Sequence, residues 1–413
     1  MNSFSIVFLS LLAIMQVVQM WLSWRHLRHV RSHRHAVPAP FKGKILLRAH
    51  KKAADYTVTK GRFGLLDATL GNLLLVLWTV GGGLDFLDQT VRAADLNPLL
   101  TGTVFMLAAF LIMGVLDIPA SLYLTFVIEQ RFGFNKTTFK TYVADLAKQT
   151  ALLLVIGAPL LMAVLWLMLE MGALWWLYVW LLWTGFTLLM VWAYPSVIAP
   201  LFNKFTPLAK GKVQQRIQTL LKRTGFKTRG IFVMDGSRRS AHGNAYFTGF
   251  GKTKRIVFYD TLLTTLREKE IEAVLAHELG HFKRHHVLKR MLLTFTLSLA
   301  GLALLGWLLR QDWFFHGLGM GQASTYAALT LFLLASSVFT FFLSPIMAWG
   351  SRRHEFEADN FAAEQSDAKS LVSALVKLYK ENASTLTPDP IYSAFYDSHP
   401  PAPVRIAHLQ GLA

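Results

Sequence analysis

Residues 274–286 read VLAHELGHFKRHH, and from position 291 the chain is apolar for nineteen residues. His277 and His281 stand four apart with Glu278 beside the first, which is the H-E-x-x-H spacing. On a helix, residues four apart are about 40° apart in projection, so two imidazoles can grip one ion. A third histidine in the extended form of the motif would need a glycine after Phe282, and Lys283 and Arg284 stand there instead. The chain holds no cysteine, so thiolate sites, disulfides and cysteine nucleophiles are excluded, and the remaining ligand must be His, Asp or Glu. His281 and His285 repeat the spacing without a glutamate between them, so His285 and His286 are expected at the surface near lipid headgroups.

The surrounding composition sets where that ligand can come from. Of 413 residues, 53% are hydrophobic and only 16% charged, against roughly 25% charged in soluble domains. Seven stretches are long enough to cross a hydrocarbon core, which takes about 20 helical residues: 3–24, 66–84, 99–127, 149–169, 173–198, 290–309 and 325–349. The first has no basic leader and no small-residue cleavage site, and is expected to be a retained anchor. The third carries Asp117 and Pro119 and is expected to kink. Asp67 borders the second. Such intramembrane carboxylates are by default functional candidates, and here they are expected to face a hydrated chamber or a neighbouring side chain.

The net charge of +18 follows the positive-inside rule rather than a nucleic-acid partner. Residues 25–64 hold eleven Lys/Arg and 129–148 hold four, whereas 85–98 hold only Arg92 against three Asp. The alternation puts the N-terminus outside and the C-terminus in the cytosol. Four parts follow: spans one to five (1–199), a cytosolic insertion (200–286), spans six and seven (287–349) and a cytosolic C-terminal part (350–413). The insertion reads as α+β and zincin-like. A basic helix near 208–224 precedes the strand IFVMDG, the Gly-rich GNAYFTGFG (243–251) and the strand KRIVFYD (254–260). A long helix then carries HELGH, with Thr265 and Glu268 as its capping box. The C-terminal part is expected to be helical up to TPDP (387–390) and irregular and Pro-rich beyond it.

After His281 the chain leaves through one span and returns through the next. The first polar segment on the same face is SRRHEFEADNFAA (351–363). Glu355 and Asp359 share a helical face there, while Glu357 lies about 200° from Glu355. Glu355 as ligand with Asp359 orienting a ligating histidine makes a coherent unit. Glu357 is the competing ligand, and a basic cap on the span's inner end is the bland alternative. Two histidines, one carboxylate and an open position make a catalytic rather than a structural zinc arrangement. In that chemistry Glu278 takes the proton of the attacking water and later gives it to the leaving amine.

LFNKFTPL (201–208), DGSRRSAHGNAYFTGFG (235–251), KRIVFYDTLL (254–263), HELGH (277–281), SRRHEFEAD (351–359) and SHPPAPVR (398–405) occur in this order. Together they resemble the membrane-embedded CAAX prenyl protease type 1 family, the zinc metalloproteases that process a-factor and prelamin A. The resemblance implies one zinc per chain on His277, His281 and Glu355, with Glu278 as general base. It also implies that Asn244 and His399 line the cleft, Asn244 holding substrate backbone and His399 steadying the tetrahedral intermediate. Arg405 would position a carboxylate or the substrate terminus. Substrates would be membrane-associated peptides or proteins, lipid-modified ones among them, and the seven helices would enclose a chamber. The strand near 255–259 is the expected edge for substrate strand addition. Gly243 where eukaryotic members often carry Ser, very short external connections and the ending HLQGLA point to a bacterial inner membrane. A heat-shock-type quality-control protease is the rival within proteolysis, and has fewer spans. A scaffold or transporter with a vestigial metal site is the rival outside it, against which the intact HELGH and Glu355 speak.

Overall fold

The computed structural model describes residues 2–249 and 254–412. Helix α1 (Ser3–Ser32) is the first span. α2 (Leu47–Trp78) and α3 (Gly83–Arg92) form a span bent by 49°. α4 (Pro98–Tyr123) continues through a π-turn to Glu129 as one run. Pro119 lies inside α4 and does not end the helix. α5 (Phe139–Leu152) and α6 (Ala158–Glu170) make the next crossing, and α7 (Trp175–Ala193) runs on into α8 (Ala199–Phe202). The seven spans lie where the hydropathy puts them.

The helices meet around Phe8, Phe105, Leu165, Leu305, Phe314 and Leu331, all at most 1% exposed. Their outer faces show Leu73, Val155, Leu181 and Leu292 to the surroundings, as lipid-facing residues do. Buried Asp88 accepts from the Arg92 Nε (2.8 Å) and Tyr326 Oη (2.6 Å), so its charge is compensated. Asp67 and Asp117 are exposed and line a cavity of about 590 Å³ between α2 and α4.

The insertion packs a four-stranded sheet against helices. β1 (Phe205–Pro207), α9 (Lys212–Thr224), β2 (Gly230–Met234), β3 (Ala245–Thr248), β4 (Arg255–Tyr259), α10 (Asp260–Thr265) and α11 (Glu268–Lys283) follow in order. The sheet order is β1-β2-β4-β3, with β2 and β4 parallel and both outer pairs antiparallel. β4 is thus interior, paired on both sides, and the edge next to the site is β3. This corrects the expected substrate edge: the stretch dismissed as Gly-rich contains AYFT, whose aromatic residues suit a pleated surface. The end of that stretch, 250–251, lies outside the described residues.

α11 also starts later than expected. Thr265 closes α10 by donating to the Thr261 carbonyl. Glu270 accepts from the Arg267 N–H at 2.6 Å, so the helix is closed by Glu270 on Arg267 rather than by Thr265/Glu268.

α12 (His286–Leu308) is the sixth span, α13 (Asp312–Gly317) lies beyond it, and α14 (Thr325–Thr340) and α15 (Ser344–Gln365) form the seventh. That last run has 41 residues, about 60 Å of helix against a core of about 30 Å. Its second half therefore projects from the membrane and carries 351–363 into the insertion. α16 (Ala368–Glu381), α17 (Pro390–Tyr396) and α18 (Ala402–Gln410) complete the chain. The Pro-rich end is helical after all, because its prolines stand in first turns, where no N–H is needed.

Two faces of α11 explain its position. Ile271, Leu275 and Leu279 recur at four-residue steps and sink into a core with Leu220, Phe258, Leu371 and Ile406. Gly280 meets α15 at Ala358 and Phe361, all buried. Small residues on both sides let the axes come close, and short side chains can then meet across the gap. A Cβ on Gly280 would lie 2.9 Å from the Ala358 Cα and 3.1 Å from its carbonyl oxygen. Gly280→Ala is expected to cost about 1–3 kcal/mol and to lower the metal bound per chain. Thermal unfolding in detergent and elemental analysis of the purified protein check both.

Candidate metal centre

His277 and His281 project from α11 towards Glu355 on α15. The His277 Nε2 is 3.4 Å from the Glu355 Oε2, the His281 Nε2 is 3.3 Å from Oε1, and the two Nε2 atoms are 3.3 Å apart. One donor atom from each of the three lies within 4.8 Å of the others. The Glu355 Oε2 is buried with no hydrogen-bond partner. The His399 Nδ1 lies 2.8 Å and the Arg405 Nη1 3.5 Å from that oxygen. A buried carboxylate oxygen without a donor, faced by two imidazole nitrogens, is costly unless a cation sits among them. The residues fit a metal ion, and their types suit zinc.

The far side of each imidazole is also engaged. The His277 Nδ1 is 2.8 Å from the Asp359 Oδ1, which fixes the ring with its Nε2 towards Glu355. Asp359 is fully buried and takes a two-pronged pair from Arg405, Nε to Oδ2 at 2.8 Å and Nη2 to Oδ1 at 2.6 Å. Arg405 is thus paired with the Asp359 carboxylate. Burial and the Arg405 charge lower the His277 pKa, and the neighbouring Asp359 and Glu355 carboxylates outweigh them, raising it to about 9.

His286 departs from expectation. It is 1% exposed, its Nδ1 lies 3.0 Å from the His281 Nδ1, and its Nε2 lies 3.0 Å from the Glu357 Oε2. His285 adopts φ 57°, the left-handed conformation that breaks α11 from α12, and this turn tucks the next residue inward. Glu357 therefore partners His286, while Glu355 faces both Nε2 atoms.

A cavity of about 880 Å³ opens beside these residues, lined by Tyr246, Phe247, Glu278, His281, Glu355 and His399 among others. Glu278 is half-buried on its wall. The His399 side chain is 62% exposed. The segment bearing it is tethered to α15, since the Arg352 Nη1 donates to the Ser393 and Asp397 carbonyls at 3.2 and 2.8 Å. Asn244 precedes β3 with its side chain exposed, and it is Tyr246 and Phe247 further along the strand that line the cavity. Its neighbour Gly243 is held by the Asn382 Oδ1 on α16's C-terminal end, at 3.1 Å. Five residues of the sequence-derived set, His277, Glu278, His281, Glu355 and His399, are thus gathered at one place with Arg405 and Asp359 behind them, while Asn244 is exposed and does not line the cavity. Gly280, His286 and Arg352 were missed, although the glycine's place within HELGH is a signal for close helix approach.

A helical membrane assembly with an H-E-x-x-H helix docked on a distant glutamate defines a membrane-embedded metalloprotease. A profile for the CAAX prenyl protease N-terminal region, with five membrane helices, matches residues 26–204, and one for peptidase family M48 matches 207–413. CAAX prenyl protease 1 homologs are similar to this chain: that of Arabidopsis thaliana is 38% identical over 76% of this chain and 74% of the relative. The human one is 32% identical over 87% and 86%. The crystal structure of S. mikatae Ste24p matches with a TM-score of 0.91 and 27% identity over 99% of both chains. The chain belongs to the CAAX prenyl protease 1 family. It is a multi-pass membrane metalloprotease.

Two outcomes are expected from the buried partners. Arg405→Leu leaves Asp359 buried without its partner and should destabilise the protein by about 3–5 kcal/mol, with much of the loss recovered in Arg405→Leu/Asp359→Asn. Chemical unfolding of the detergent-solubilised protein measures both. A metal must displace the His277 proton below about pH 9, so its apparent affinity should fall as pH drops from 9 to 7, by about tenfold per unit for one proton. Chelator competition across that range checks the sign.

Proposed function

We propose that the protein is a zinc endopeptidase that cuts membrane-associated, CAAX-type lipid-modified peptides near their C-termini. The observation that carries this reading is the convergence of two Nε2 atoms on the two oxygens of the Glu355 carboxylate, beside a cavity that also holds Glu278 and His399. His277, His281 and Glu355 would hold the ion. Zinc there supplies acidity to water and polarises the scissile carbonyl. Glu278, next in sequence to His277 and on the cavity wall, takes the water's proton and returns it to the leaving amine. His399, on the same cavity, steadies the developing oxyanion.

Substrate adds as a strand to β3, with Asn244 at its start holding the peptide backbone. The cavity passes from this polar floor to Leu293, Ile346, Met347 and Trp349 on α12 and α15, with Lys289 and Arg290 nearby. A peptide with an attached hydrocarbon suits that gradient. The four parts 1–199, 200–286, 287–349 and 350–413 serve respectively as chamber wall, catalytic insertion, connecting hairpin and donor of the third ligand. The charge alternation supports a cytosolic site with the N-terminus outside, and the short outer connections support a bacterial inner membrane.

Wild type and Glu278→Gln are compared in detergent on a farnesylated CAAX peptide and its unmodified counterpart. Both proteins should hold about one zinc per chain, and the substitution should cut cleavage by about 10²–10⁴-fold. Undiminished cleavage by Glu278→Gln removes that residue from its role. Equal cleavage of both peptides removes the lipid from the substrate class.

A further inference from the structure

The sixth span begins on His286, and that residue faces a candidate ligand. The His281 Nε2 points to Glu355 and its Nδ1 to the His286 Nδ1, 3.0 Å away. For the Nε2 of His281 to bind a metal it must be free of a proton, which leaves the proton on Nδ1. His281 then donates, so the His286 Nδ1 must accept. His286 in turn carries its proton on Nε2, where the Glu357 Oε2 accepts at 3.0 Å. The proton placement along the three residues is dictated by one requirement at the first. His354 stacks on the His286 ring, centroids 4.0 Å apart and planes 13° apart, which limits its rotation. His286 is 2% exposed at the side chain, so water does not substitute readily for it, whereas Glu357 is 40% exposed.

We propose that His286 and Glu357 are positioning residues for His281, forming a hydrogen-bond chain that sets its tautomer and ring orientation for metal binding. This rests on the assignment of His281 as a ligand. The arrangement parallels that of the other imidazole, where Asp359 and Arg405 hold His277. The two supports differ in origin: Arg405 comes from the C-terminal helix, while His286 belongs to the span itself. The junction of α11 and α12, with its left-handed His285, thereby couples the entry of a membrane helix to the metal-binding ring. A partner that orients a ligand in this way commonly contributes about 10–100-fold in metal affinity.

The test uses the full-length protein in detergent, with Zn²⁺ affinity read by chelator competition and ligand geometry by the visible spectrum of the Co²⁺-loaded form. His286→Leu should weaken Zn²⁺ binding by about 10–100-fold and alter the Co²⁺ spectrum. His286→Gln keeps an acceptor oxygen for the His281 Nδ1–H and should bind within about threefold of wild type with a similar spectrum. Glu357→Ala, at a partly exposed site that leaves folding intact, should fall between wild type and His286→Leu, and it decides the matter if His286→Leu does not fold. Wild-type affinity in His286→Leu, equal weakness in the Leu and Gln variants, or an unchanged Glu357→Ala each overturns the proposal. His281→Ala is the control: loss of binding there alongside unaffected His286 variants refutes only the chain, whereas retained wild-type affinity refutes the ligand assignment itself.

Discussion

The close approach of two helices of different origin governs this molecule. α11 belongs to an insertion built on a small sheet, and α15 is the continuation of the last membrane span. Their close approach is made at Gly280, which lies against Ala358 and Phe361. With larger residues the axes would stand farther apart, and neither an imidazole nor a glutamate is long enough to make up the difference. The sheet, the apolar core around Leu275 and Leu279, and the length of the seventh span all serve to hold that contact in register.

The contact concentrates charge where little water reaches. Glu355, Asp359, Arg405 and His277 are each at most 6% exposed. Such a cluster is tolerable only when every charge has a partner. Arg405 with Asp359 forms a closed pair, and Asp359 also steadies His277. Glu355 is the member whose oxygen is left over. The imbalance sits at the intended seat of a divalent ion, so the stability of the cluster and its affinity for metal are two expressions of one charge pattern.

Much of this was legible in the chain. Hydropathy locates the spans because lipid admits only helices with satisfied backbones, and charge alternation marks which connections share a side. H-E-x-x-H with Glu355 could be paired because the topology returns the chain to the same face. What the sequence hid are features set by tertiary contact. His286 reads as one more basic residue at a membrane boundary, and only the left-handed turn at His285 brings it inward. β3 was masked by glycines on either side of AYFT, so β4, the more apolar strand, was taken for the edge it is not. The expected cap of α11 falls two residues early, since Thr265 suits an N-terminus by type while its hydroxyl serves the preceding turn. Asn244 stands out by its motif, and nothing local reveals that it does not line the cavity.

The central claim is that a residue 74 positions beyond His281 completes a site begun on α11. Anomalous diffraction at the zinc edge from crystals of the metal-loaded protein addresses it without reference to activity. The account requires one peak bounded by the Nε2 atoms of His277 and His281 and a Glu355 carboxylate oxygen. A peak bound instead by His286 and Glu357, or one on α11 with no ligand from α15, would contradict it.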